Sequence, residues 1–209
     1  RKNGASSAIL AALLCIHSSA NAQDALQLSI PPVESAETIV AESLPQTTTT
    51  TPGYWIVSSH ASPQNFDESA PVFCPSVTRY DHGTGFRRSS MQELMQSILP
   101  GVPVSVFCHG SFVSWEDVLN ESCETWKWVH QACPDQPVQM VYFSWPSDRP
   151  IIVPIIQLDV ARLGHRAGRN GFYLANFVQQ LPSECPVCLV GHSHGTRVVA
   201  SALHLIGGG

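Results

Sequence analysis

The sequence predicts an α/β fold: a doubly wound, mostly parallel sheet with helices on both faces. Three observations predict it. Short apolar runs of strand length alternate with longer stretches of helical period from residue 53 onward. Several of these runs are apolar at nearly every position, as strands buried on both faces are. The last run, Val187 to Val190, passes through a Gly-rich turn straight into an amphipathic stretch.

The elements follow in order. Tyr54 to Val57 is a short β-rich run, and Val72 to Tyr80 reads as a second strand. Met91 to Leu99 carries Met91, Leu94, Met95 and Ile98 at helical spacing and stops at Pro100-Gly101. Val102 to Cys108 is an apolar strand. Trp115 to Val129 is a helix with Ser114 as N-cap and Glu116 and Asp117 in its first turn, where acids favour the helix dipole. Val138 to Trp145 is a strand. Leu158 to Leu181 is helical, with an expected interruption at Asn170-Gly171. Asp159, Arg162 and Arg166 on it read as a solvated face. After the strand at Val187, the helix from Thr196 to Ile206 points Val198, Val199, Ala202, Leu203 and Ile206 one way.

Composition limits the rest. The chain has 209 residues, 44% hydrophobic and 13% charged, which excludes a wholly disordered chain or a coiled coil. Its net charge is −5 and it has no basic run, so a nucleic-acid partner is not expected. Residues 1–22 have the pattern of a secretory signal. Arg1 and Lys2 precede the apolar stretch Ala5 to Ile16, and Ala20 and Ala22 have cleavage-site spacing. The stretch is too short for an ordinary membrane span, so no transmembrane span is expected in the mature form. Cleavage after Ala22 takes the net charge from −5 to −7. The expected location is exported: periplasmic, envelope-associated or extracellular. Residues 23–52, with Pro31-Pro32, Pro45, Thr47 to Thr51 and Pro52, lack the apolar content to bury a core and read as a disordered linker. The fold occupies 53–209. Export leaves Cys74, Cys108, Cys123, Cys133, Cys185 and Cys188, whose pairing the sequence does not choose. Cys185-Pro186-Val187-Cys188 precedes a strand rather than opening a helix, so it reads as structural, not as a redox pair or a metal site.

The chemistry concentrates at the carboxyl ends of the strands, where ligands of parallel sheets bind. Gly191-His192-Ser193-His194-Gly195 fits the G-x-S-x-G elbow, a sharp turn between a strand and a helix. That turn lifts the Ser193 side chain clear of the sheet in strained backbone geometry. Gly191 and Gly195 admit the close approach of neighbouring chain. The helix start leaves free N–H groups beside the serine oxygen. His109-Gly110-Ser111-Phe112 directly follows an earlier strand. Acyl transfer builds charge on an oxygen and needs two fixed donors. The expected donors are the backbone N–H groups of His194 and Ser111. Gly110 permits the approach, and His109 orients the loop by hydrogen bonds. Trp145 and Asp148, after the third of these strands, are candidate pocket residues. Trp145 has simple packing, and Asp148 a polar turn, as the alternative.

These segments resemble the α/β-hydrolase superfamily, and are most similar to a bacterial α/β-hydrolase family whose function is not established. The likeness is carried by Val106 to Gly110 with Trp115-Glu116-Asp117, by Tyr142 to Ser147, and by Leu189 to Ala202. It spans about Gly53 to Gly209. It implies that the strand before the elbow lies beside the strand before the His-Gly loop. It also implies a serine hydrolase acting on a small-molecule ester or related acyl substrate through an acyl-enzyme, with no metal or organic cofactor. The family order places an acid and then a histidine after the serine. Only 16 residues follow Ser193 here, without Asp or Glu. Their one histidine, His204, lies on the elbow helix 11 residues beyond Ser193, about 16 Å away. Together with the opening at Arg1 and the closing Gly207 to Gly209, this leads to the expectation that the chain is the front part of a longer domain. The later strands, the acid and the base would lie outside it, and the piece alone would be inactive. A non-catalytic hydrolase-like binding domain at the cell envelope is the alternative. Oligomeric state has no signal in the sequence.

Overall fold

The computed structural model describes residues 12–16, 53–64, 72–132, 134, 136–148 and 156–208. The elements in chain order are β1 (Ala12–Ile16), β2 (Gly53–Ser58), β3 (Ser76–Asp81), β4 (Gly85–Ser89), α1 (Met91–Ser97), β5 (Val104–Cys108), α2 (Trp115–Ala132), β6 (Gln139–Ser144), α3 (Ile156–Val178), β7 (Val187–Gly191) and α4 (Gly195–Ile206). The fold is α/β, a mixed sheet flanked by helices. Six strands come from the region after residue 52, and β1 adds a seventh at one edge, giving the order β1-β7-β5-β6-β2-β3-β4.

The sheet is mixed rather than mostly parallel. β7, β5, β6 and β2 run parallel. β3 and β4 form an antiparallel hairpin on one edge, and β1 lies antiparallel on the other. Five apolar residues along the edge of β7 pair its otherwise open backbone groups. Apart from this strand, the expectations for residues 1–22 and 23–52 lie outside the described residues.

Alternation along β2 divides the core in two. Trp55 and Val57 face a large cluster with Leu94, Leu163, Phe177, Val198 and Ala202, so α1, α3 and α4 cover that face. Tyr54 and Ile56 face the opposite way, against Val113, Val118, Met140 and Tyr142 under α2. Each fully buried Val or Leu in these layers contributes about 1.5–3 kcal/mol relative to exposure.

Two helix starts are set by local side chains. The Ser90 hydroxyl accepts the Glu93 N–H at 3.1 Å and opens α1. The Ser114 hydroxyl accepts the Asp117 N–H at 3.2 Å, and the Asp117 carboxylate accepts the Ser114 N–H at 3.0 Å, a reciprocal cap on α2. α3 departs from expectation and continues unbroken through Asn170-Gly171. Asn170 is consumed inside the helix, donating to the Arg166 carbonyl at 2.8 Å and accepting from Ser59 Oγ at 2.6 Å. Gly171 packs closely against α4. A Cβ there would stand 2.4 Å from that of Ser201.

Among the described residues Cys74, Cys108, Cys123 and Cys185 are free thiols. No helix among the described residues is long and apolar enough to cross a membrane.

Candidate functional site

β5 and β7 are parallel neighbours, with Cys108 opposite Gly191 at their carboxyl ends. The two loops singled out in the sequence therefore emerge side by side. Ser193 sits at the tip of the second, with φ +51, the left-handed region that a side chain other than glycine's rarely occupies. The turn is tied on both sides of it. The His192 N–H donates to the Cys108 carbonyl at 3.0 Å, and the Gly195 N–H to the His192 carbonyl at 2.8 Å. The Thr196 N–H and the Thr196 hydroxyl both reach the Ser193 carbonyl. Ser193 itself is exposed.

The glycines of the motif are required by contact. A Cβ on Gly195 would lie 2.2 Å from the Cys108 carbonyl oxygen and 2.5 Å from that of His109, so only hydrogen lets α4 start against β5. A Cβ on Gly191 would fall 2.7 Å from Thr196 N and Cα. Gly110 of the first loop stands against the elbow. Its Cβ would meet Ser193 Cβ at 3.2 Å and His192 Nδ1 at 3.1 Å.

The first loop is held from behind by His109, which is fully buried. Its Nε2 accepts the Trp145 N–H at 3.1 Å, which leaves the ring proton on Nδ1, donating to the Gly110 carbonyl at 2.9 Å. The indole Nε1 of Trp145 donates to the His109 carbonyl at 2.9 Å, and the two rings stack 5.7 Å apart. Burial is the main cause that lowers the His109 pKa to about 4, and His60 and His192 add to it, so the ring is neutral. On the far side the Phe112 N–H donates to the Ser147 carbonyl at 2.8 Å, and Phe112 takes φ +62. The loop between β5 and α2 is thereby fixed at both ends.

The backbone N–H groups of Ser111 and His194 donate to no protein acceptor among the described residues. Their side chains are joined, because the Ser111 hydroxyl and His194 Nδ1 share a hydrogen bond. The other edge of the His194 ring faces α3, with Nε2 3.5 Å from where a Cβ on Gly164 would sit. Burial first, and the Arg197 charge second, lower the pKa of His194. Among the described residues, no side chain hydrogen-bonds to the Ser193 hydroxyl.

Ser193, His194, Ser111, Gly110, Gly191, Gly195 and His109 thus meet at one point. Trp145 is completely buried and packs behind His109. Asp148 is exposed, and its charge acts on Arg166. Asp159 departs from expectation: it is 1% exposed, not solvated, and its Oδ2 has no hydrogen-bond partner among the described residues. Its i, i+3, i+7 spacing with Arg162 and Arg166 suggested a surface stripe. Arg166 instead bonds the Pro146 carbonyl at 3.1 Å, and no ion pair forms along the row among the described residues. Nothing in the local pattern signals that burial. No cluster of three or more metal-ligating side chains occurs among the described residues.

Comparison of the chain with family models, with curated proteins and with solved structures finds no match. The chemical reading therefore rests on the residues and their geometry.

Proposed function

We propose that this chain carries the nucleophile and oxyanion hole of a serine hydrolase of α/β-hydrolase type, acting on an ester or related small acyl substrate. The observation that carries the reading is the positive φ of an exposed serine at a strand-to-helix turn, wedged against a second loop with an unengaged N–H. Strain of this kind costs about 1–3 kcal/mol and is typical of functional positions.

In the proposed reaction Ser193 Oγ attacks the acyl carbon and passes its proton to a base. The carbonyl electron pair moves onto oxygen, where the N–H groups of His194 and Ser111 hold the charge. Collapse expels the alcohol, which takes the proton from the base, and water then releases the acid by the same steps in reverse order. Among the described residues no side chain hydrogen-bonds to Ser193 as that base. His194 is a poor substitute, since its Nδ1 is engaged by Ser111 and its other edge faces α3. The signal pattern of residues 1–22 supports an exported enzyme, and cleavage after Ala22 would remove β1 and reopen the edge of β7.

The test is hydrolysis of short-chain nitrophenyl esters by the native-length protein. Ser193→Ala is expected to lower kcat by roughly 10³-fold or more, as loss of a triad member does. Turnover unchanged in that variant would refute the assignment. A folded native-length protein without turnover would support the alternative of a binding domain at the cell envelope.

A further inference from the structure

A cleft of about 480 Å³ opens between the first turn of α2 and the β3–β4 hairpin. Strand register explains its floor. Ile56, Thr78 and Arg88 stand opposite one another across β2, β3 and β4, and Ser58 pairs with Ser76 one step along that face. Ile56 belongs to the core under α2, so the period of two sends Thr78 and Arg88 to the same side. Trp115 of α2 and Phe86 of β4 form walls, the two residues 40% and 39% exposed. His60, just past the end of β2, lines it as well, with Val77, Leu119 and Arg87, whose charge is already taken by Asp81 and Glu93.

Charge in this hairpin is unevenly used. Arg79 bonds Asp81 at 2.8 Å and lies over the Trp55 ring. Arg87 bridges Asp81 and Glu93. Arg88 makes no ion pair or side-chain hydrogen bond among the described residues. His60 Nε2 is buried and also has no hydrogen-bond partner among them, although buried polar atoms are nearly always partnered. The cleft thus combines one uncompensated guanidinium, an unsatisfied imidazole nitrogen, three hydroxyls (Ser58, Ser76 and Thr78) and two exposed aromatic rings.

We propose that this cleft binds a small monocarboxylate with a flat apolar body. The Arg88 fork meets a carboxylate through two parallel N–H bonds. Trp115 and Phe86 hold the body by ring contact. A single unpaired cation matches a single negative charge, which favours a carboxylate over a doubly charged phosphate. The cleft is separate from Ser193. Three strand steps, β7 to β5 to β6 to β2, put the nearest strand of its floor about 14 Å from the strand that carries Ser193; His60 of the lining still acts electrostatically on His109. The proposal therefore stands independently of the hydrolase reading.

Titration calorimetry of the full chain with phenylbutyrate and with its uncharged amide tests it. The acid should bind at least tenfold more tightly than the amide. Arg88→Gln should weaken the acid at least tenfold and erase the difference between the two probes. Trp115→Ala should weaken both probes by a similar factor, and Ser193→Ala should change neither. Equal binding of acid and amide, absence of acid binding to the folded chain, or a preference that survives in Arg88→Gln would overturn the proposal. Both Arg88 and Trp115 are exposed, so circular dichroism can establish that the variants remain folded.

Discussion

At the scale of single residues, Ser193 and His109 bear opposite kinds of cost. Ser193 stores backbone strain at φ +51. Ser193→Gly removes the steric conflict and is expected to raise stability by about 1 kcal/mol in urea unfolding, whereas Ser193→Ala leaves it nearly unchanged. A destabilised glycine variant would contradict the strain account. His109 is neutral because it is buried, its pKa lowered from 6.5 to about 4. The unfolded chain binds this proton at higher pH than the folded chain does. The stability it supports is therefore complete above pH 6.5 and is lost as pH falls from 6.5 toward 4, by roughly 3 kcal/mol. The unfolding free energy of the wild type should fall more steeply across that window than that of His109→Gln. Parallel curves would show that the imidazole is not held neutral.

At the scale of elements, what was legible was what is local. The helices α1 and α2 begin where the sequence predicts because Ser90 and Ser114 cap them with their own side chains. The elbow was legible because a strand, two glycines and an amphipathic helix lie in one run of 20 residues, 187–206. The hairpin strand β4 was missed. Gly85-Phe86-Arg87-Arg88-Ser89 has no apolar alternation, and its register comes from β3 and from a turn with Gly83 and Gly85 at positive φ. The cleft beside it was missed for the same reason. The burial of Asp159 was also hidden, since tertiary packing sets it and helical spacing does not. The continuity of α3 is likewise tertiary, because Gly171 ends nothing and instead admits Ser201 of α4. Gly171→Ala should cost about 1–3 kcal/mol by overpacking this contact, even though alanine is the better helix former. Adding Ser201→Gly should recover part of that loss, although it also removes the hydrogen bond from Ser201 Oγ to the Gly168 carbonyl at 2.7 Å. A chemical-denaturation double-mutant cycle measures the coupling. Additive effects would mean the helices do not meet at this point.

At the scale of the whole molecule, four parallel strands bring two loops to one edge of the sheet, and the helices on either face hold them there. The loop after β5 is fixed by His109 and Trp145 from behind, and the loop after β7 by the closeness of Gly195 to β5. The edge of β7 accepts another strand, here the apolar Ala12–Ile16. The central claim is that this scaffold exists to present Ser193 as a nucleophile. Its most direct measurement is treatment of the native-length protein with a fluorophosphonate, followed by peptide mass spectrometry. The account predicts a single adduct on Ser193 that is absent from Ser193→Ala. An adduct on another residue, labelling that persists in Ser193→Ala, or no adduct on the folded native-length protein would contradict it.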